Sequence, residues 1–436
     1  MAESLAVRDK SGEAMGPAET TICKPDAEVL RGLGRRLREI ADDPVNQQRR
    51  RLWYKHDALR GERPMVLAEL SGVLDEVFPD EAMGLECTDR WARDVERDLR
   101  LQIFRFEHLG DDGVVEPWVN VPWDVTISNY GVEAVKHYAE GERKLGARRW
   151  DPALQDVDRD FHRLRPRTFA VDRPKTLARK AALEAVFDGI LGVRIRRSYG
   201  WTMGMTIIAV ELVGLENLML LMYDNPWGLH RLMAFLGDDH LAYITWRERE
   251  GLLTLDNEND YIGSGSIGYT RSLPQPDHAP GDPVRTKDLW CLAESQETVG
   301  VGPDQFEEFI FRYQKDLVER FGASYYGCCE PVHTRWHVIR QLPNLKRVSI
   351  SPWCDEARMA EALAGRYVFS RKPHPALVST ERFDEDAIRQ DVRRTLSIAR
   401  GCTVELIMKD VHTLCGQPWR LARWVELARE VIDECV

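Results

Sequence analysis

Long apolar runs are missing from this 436-residue chain. None approaches the ~20 residues that span a bilayer, and the opening MAESLAVRDKSGEAMG has no apolar core of the kind a secretory signal needs. A basic block is missing too. The net charge is -11 and the pI near 5.6, with lysine and arginine mixed among acids, which argues against the electrostatic footprint of a nucleic-acid binder. Nor is there a disulfide framework. The nine cysteines (Cys23, Cys87, Cys291, Cys328, Cys329, Cys354, Cys402, Cys415 and Cys435) are odd in number and irregular in spacing, so the thiols are expected to be reduced. These absences leave the expectation of a cytoplasmic protein that acts on a small molecule, with no membrane or nucleic-acid partner, and with monomer or homodimer left open.

The chain is long enough for two or three average domains, but β/α barrels reach this size as one unit. Residues 1–25 are small and polar without a periodic apolar face and read as a mobile tail. Residues 26–61 are charged and helical in pattern and read as an N-terminal helical extension. Residues 62–436 are assigned to one barrel. PMVLAEL (Pro64 to Leu70) is its first candidate strand and NVPWDVTI (Asn120 to Ile127) its second, with VRIRRSYGW strand-like after an irregular middle. Two helical patterns follow, from Met205 to Met222 and from Pro226 to Arg249.

From TKDLWCLAES onward the rhythm is regular. Five β-then-α units run to the C-terminus, each short enough for a right-handed crossover, and such crossovers require a parallel sheet. No predicted strand leads through a G-x-G-x-x-G turn into a helix, which removes the usual reason for an open dinucleotide-binding sheet. The expected fold is therefore α/β, an eight-fold β/α (TIM) barrel with an N-terminal helical extension.

Barrel chemistry sits on the loops after the strands. Here those loops carry Glu294 and Gln296; Cys328, Cys329, Glu330 and His333; Trp353, Cys354 and Asp355; Lys372 and His374; and Lys409, Asp410, His412 and Cys415. Thiolate, imidazole and carboxylate are the ligands zinc prefers, and an open catalytic site needs three of them. Cys329 and Cys415 are the leading pair. Strict strand alternation puts Cys328 and Cys329 on opposite faces unless the chain has already turned. Any one of these cysteines, taken alone, is more often a small buried hydrophobe, and Trp353 more often core or wall. It is their gathering on a few loops that points to chemistry.

From about residue 190 onward the chain resembles the uroporphyrinogen decarboxylase superfamily, and within it the zinc-dependent methyltransferases that work between a corrinoid protein and a thiol. The resemblance lies in MLLMYDNPWGLHRLMAFL, in VGPDQFEEFIFRYQKDLVERF and in Cys415-Gly416-Gln417-Pro418, which matches that branch's Cys-Gly-x-Pro segment. Its His-x-Cys-Gly segment is met only by Tyr326-Gly327-Cys328-Cys329-Glu330, so the third ligand falls to Cys328, Glu330 or His412. The decarboxylase branch's Arg-Gln-Ala-Gly-Arg segment has no counterpart after the first strand. The resemblance implies zinc, a corrinoid on a partner protein, and methyl transfer to or from a small methylated substrate. Glu294 and Asp410 are then the acid and base groups, Gln296 and Lys372 substrate contacts, and Trp290 and Trp353 the walls of the methyl site. A metal-free lyase of the same superfamily and a non-catalytic barrel are the alternatives.

Overall fold

The computed structural model describes residues 21–138, 148–196 and 202–435. The charged N-terminal segment folds as two helices, α1 (Lys24–Asp42) and α2 (Pro44–Asp57). Each has proline in its first turn, where the missing N–H has no intrahelical acceptor anyway, and Asp43 caps α2 by accepting from Val45 N at 2.7 Å. Helix α1 thus begins inside the segment read as a tail; residues 1–20 of that tail lie outside the described residues.

Fourteen strands follow among the described residues: β1 (Met65–Ala68), β2 (Trp118–Val121), β3 (Asp124–Ile127), β4 (Val135–Tyr138), β5 (Arg148–Asp151), β6 (Phe169–Asp172), β7 (Gly192–Ile195), β8 (Tyr261–Gly263), β9 (Ser266–Ile267), β10 (Trp290–Ala293), β11 (Ala323–Tyr326), β12 (Leu345–Ile350), β13 (Val368–Arg371) and β14 (Thr403–Met408). Six form one sheet in the order β1-β14-β13-β12-β11-β10, and every pairing in it is parallel. The last five are the strands of the five β-then-α units. Strands β1, β10, β11 and β13 are buried on both faces, as a parallel sheet covered by helices requires.

The remaining strands depart from the expected eight-strand ring. NVPWDVTI covers the end of β2 and all of β3, which join different sheets: among the described residues β2 pairs with β7 alone, and β3 runs antiparallel to β6. Both edges of the main sheet are still met by backbone. Asp112 N donates to Val66 O at 2.8 Å, and Met203 N to Leu292 O at 2.7 Å beside a parallel bridge from Thr202 to Leu292.

The pattern from Met205 to Met222 is two helices, Thr206–Val213 and Leu215–Asp224, bent by 91° at Gly214, whose φ of +87° no helix can accommodate. Among the described residues no single helix is long and apolar enough to cross a membrane.

One inserted hairpin packs against the sheet. The spacing G-x-G-x-x-G does occur, at Gly263-Ser264-Gly265-Ser266-Ile267-Gly268, but it forms the β8–β9 hairpin and leads into no helix. A phosphate-binding turn needs the helix N-terminus that is lacking here. Gly265 is held at φ +88°, and a Cβ there would sit 2.6 Å from Ile407 and 2.9 Å from Glu69, so the glycine serves close packing against β14 and the end of β1.

Candidate active site

Six parallel strands deliver their C-terminal ends to one side. Strand β11 ends at Tyr326, and Gly327 follows at φ +97°, a conformation that a residue with a Cβ adopts only under strain. The chain has therefore turned before the two cysteines, and the alternation expected of a continuing strand does not apply. Their thiols lie together, Sγ to Sγ 3.5 Å. The loop after β14 supplies the rest: Lys409 Nζ donates to Cys328 Sγ at 3.4 Å, Cys329 Sγ lies 3.4 Å from Asp410 Oδ2, and Lys409 and Asp410 pair at 3.2 Å.

This arrangement separates the two thiols electrically. The hydrogen bond from Cys329 and the Lys409 ammonium favour a thiolate at Cys328 against the cost of burial, bringing its pKa down to about 7. Cys329 moves the other way: the bond to Cys328 and burial raise its pKa. Burial alone would discharge Lys409, but Cys328, Asp410 and Glu69 outweigh it and hold its pKa well above the ordinary value. The arrangement favours a thiolate at Cys328 facing the Lys409 ammonium, with the proton retained on Cys329.

Three carboxylates surround the pair. Glu330, 2% exposed, accepts from Cys328 N at 2.8 Å and Ser295 N at 2.9 Å. It thereby ties the β11 loop to the β10 loop, and burial keeps its pKa raised in spite of those donors. Glu294, 4% exposed, accepts from Thr202 Oγ1 at 3.2 Å and Gln296 N at 3.1 Å. Burial first, then the charges of Glu297, Glu330 and Cys328, push its pKa well above the ordinary carboxylate value. Glu69, directly after β1, is also raised by burial and by Asp410, against the pull of Lys409.

Lys372, at the end of β13, is 3% exposed and donates to Tyr325 Oη at 2.7 Å, Ser370 Oγ at 2.6 Å and Ser370 O at 3.1 Å. Burial lowers its pKa to about 7, against the attraction of Glu405. It is a buried amine close to neutrality.

Several candidate residues lie elsewhere. Trp290 stands at the opposite, N-terminal end of β10, where its Nε1 donates to Gly268 O at 3.2 Å and the Arg347 guanidinium covers its ring at 5.1 Å; strand position overrides the strand-end grouping read from sequence. Cys415 is exposed and its thiol donates to Ser379 O at 3.4 Å, while His412 is exposed as well. Trp353 is 65% exposed, edge-on to His374 at 5.2 Å, on the rim and not in a wall. Gln296 Nε2 is spent on Glu297 at 3.2 Å.

The metal expectation can be tested against this donor set. Glu330 is committed to two backbone donors, His412 and Cys415 are on the surface, and a lysine ammonium already neutralises Cys328. Among the described residues no group of three or more His, Cys, Asp or Glu side chains is arranged to hold a metal ion. The five residues proposed from sequence, Cys328, Cys329, Glu330, His412 and Cys415, do not fit a zinc site.

Lys409 and Glu69 carried no role in the sequence reading. Glu69 had a signal, since it follows the first predicted strand directly, as the other site residues follow theirs. Tyr261 had none: it belongs to the inserted hairpin, where burial raises its pKa and the charges of Glu69 and Cys328 add to that.

No protein-family model matches the chain, and no curated protein matches it. Among solved structures, a methyltransferase from Methanosarcina mazei aligns over 88% of this chain and 98% of its own, at 11% sequence identity and a TM-score of 0.47. A likeness at that level carries no argument about activity.

Proposed function

We propose that the chain is a methyltransferase that moves a methyl group from a small methylated donor to a thiol or to a corrinoid carried by a partner protein, with Cys328 as its reactive sulfur. The observation that carries this reading is the Cys328 thiol 3.4 Å from the Lys409 ammonium at the C-terminal end of a parallel sheet. Soft, anionic sulfur at neutral pH is the nucleophile that displacement at a methyl carbon calls for. The resemblance of Cys415-Gly416-Gln417-Pro418 and the preceding helices to the methyltransferase branch supports the choice of methyl over other groups. As part of the same reading, the six-stranded sheet is the larger arc of an eight-fold barrel, with β2 and β7 as its irregular remainder.

In the first step the Cys328 thiolate forms a bond to the methyl carbon as the bond to the donor heteroatom breaks. That atom leaves with the electron pair and takes the proton held on Glu294. In the second step a thiol acceptor gives its proton to the Glu294 carboxylate, or a reduced corrinoid acts directly while water restores that proton. The acceptor attacks the S-methyl carbon, and the C–S bond breaks with its electron pair going to Cys328, the thiolate that Lys409 stabilises. Cys329 and Asp410 orient this pair. No step passes through zinc, since the donor set does not fit it.

Labelled methyl transfer from methylamines, methyl ethers and methyl thiols to a thiol or to reduced cobalamin tests the reading, with intact-mass analysis after donor alone. The expected result is a gain of one methyl at Cys328. Turnover without any modification of Cys328, and unchanged in Cys328→Ser, defeats it.

Lys372 favours a second reading, a lyase acting on a carbonyl substrate. A buried amine with a pKa of about 7 is neutral enough to form an imine. Borohydride trapping of a carbonyl substrate on Lys372, lost in Lys372→Arg, would select this reading over methyl transfer.

A further inference from the structure

A cleft of about 580 Å³ opens beside α2, lined by Arg50, Arg51, Tyr54, Asn257, Thr270 and Arg271 among others, and no carboxylate lines it. Its size is in the usual range for small-molecule sites. It lies away from the cysteines. Thr270 Oγ1 accepts from Lys346 Nζ at 3.3 Å, and Lys346 is the second residue of β12, so the cleft borders the N-terminal end of the sheet.

Three guanidinium groups meet there in a chain with 71 acidic residues against 60 basic ones. Several exposed arginines elsewhere are paired with acids, as Arg36 is with Glu39 and Glu107, and Arg389 with Glu385 and Glu430. In the cleft that pairing fails. Among the described residues Arg51 and Arg271 have no hydrogen bond or ion pair; the Arg271 guanidinium rests on the Tyr54 ring at 5.1 Å. Arg50 has Glu258 at 3.6 Å, but that carboxylate is already held by Arg194 at 2.8 Å and Arg196 at 3.4 Å. The nearby acids are spent as well: Asp57 on Lys346, Arg347 and Thr270, and Glu62 on Lys55.

We infer that this cleft is a binding site for a small, multiply charged oxyanion, distinct from the thiol site and independent of the reaction proposed there. Guanidinium forks match the geometry of phosphate and carboxylate oxygens, and a dianion relieves the mutual repulsion of three cations, two of which have no ion pair among the described residues. Tyr54, with Arg271 stacked on it, gives the cleft one rigid wall. Phosphoryl and polycarboxylate compounds share this chemistry.

Calorimetric titration of the full chain with inorganic pyrophosphate and, separately, with citrate at low salt distinguishes the two sources. The expected result is a Kd in the ~0.1–1 mM range or tighter for at least one of them. Arg51→Gln with Arg271→Gln should weaken it by about tenfold or more, while Arg382→Gln, a distant exposed arginine paired with Asp384, should not. The bound anion should raise the melting temperature of the native chain and not that of the double variant. If the double variant fails to fold, each single substitution is read in its place. Failure of both probes to bind at 10 mM, or equal binding by native chain and variants, overturns the inference.

Discussion

On the N-terminal half of the sheet, Arg347 in β12 and Glu405 in β14 are wholly buried and face partners of opposite charge. Glu405 accepts from Ser370 Oγ at 2.5 Å and Ser266 Oγ at 3.0 Å and has His56 Nε2 at 3.2 Å, while Arg347 reaches Ser266 Oγ at 2.6 Å and Asp57 at 3.2 Å. Burial raises the Glu405 pKa, but His56 and Arg347 outweigh it, and the carboxylate stays charged far below its usual range. At the C-terminal ends of the strands, the Cys328 thiol and the Lys372 amine are brought down to about 7, and burial raises the pKa values of Glu69 and Glu294. The strands are continuous, so burial is similar at both ends. What differs is partner supply: the lower carboxylates Glu405 and Asp57 face His56, Arg347 and Lys346, whereas the upper groups are left poised to exchange a proton or form a bond.

That contrast is broken most directly by removing the sulfur. Cys328→Ala is expected to reduce methyl transfer by a factor on the order of 10⁴ while leaving the denaturation midpoint almost unmoved, because loss of a nucleophile costs catalysis and not packing. The reverse pattern is expected below. Arg347→Met leaves Glu405 and Asp57 short of a buried cation, and should cost about 3–5 kcal/mol of stability in urea unfolding. Equal stability losses from the two variants would erase the distinction between the ends.

The regular half of the molecule was legible because five short repeats each had to bury a strand and cover it with a helix, and TKDLWCLAES through PWRLARWVELAREVIDECV shows that period openly. The site was legible only in part. Cys328, Cys329, Glu294 and Lys372 could be named because strand ends converge. Trp290 misled because a residue four positions before Glu294 on a strand lies about 13 Å away along it. Cys415 misled because a motif match says nothing about the direction in which a loop turns. Tyr261 and the hairpin were not legible at all: Gly263 to Gly268 has the spacing of a nucleotide turn, and only the chain that follows decides that it is a hairpin.

A finer test uses pH. With Cys328 at about 7, the thiolate fraction and hence the rate should rise between pH 6 and 8. The same depressed pKa contributes stability that is complete above the ordinary thiol value of ~8.5 and lost as the pH falls through about 7. Lys409→Met removes the facing cation and should move the midpoint of the rate profile upward by about 1–2 units. A profile that keeps its midpoint in Lys409→Met while losing amplitude would show that the ammonium acts on something other than Cys328.

The smallest effect is expected at Cys415, and it separates two views of the site. A metal ligand cannot be replaced by alanine without loss of the ion, whereas an exposed thiol whose one hydrogen bond among the described residues goes to Ser379 O at 3.4 Å contributes little. Its backbone is the part under constraint: Cys415 is held at φ +56° and Gly416 at +70°, while Glu76 accepts from Leu414 N at 2.8 Å and Gly416 N at 3.3 Å. Cys415→Ala should therefore leave both turnover and melting temperature near those of the native chain. Cys415→Gly, which adopts positive φ without a Cβ penalty, should be neutral or stabilising by up to about 1 kcal/mol. A large loss of activity in either variant, with the fold intact by circular dichroism, would return Cys415 to the active site and bring it across the rim toward Cys329.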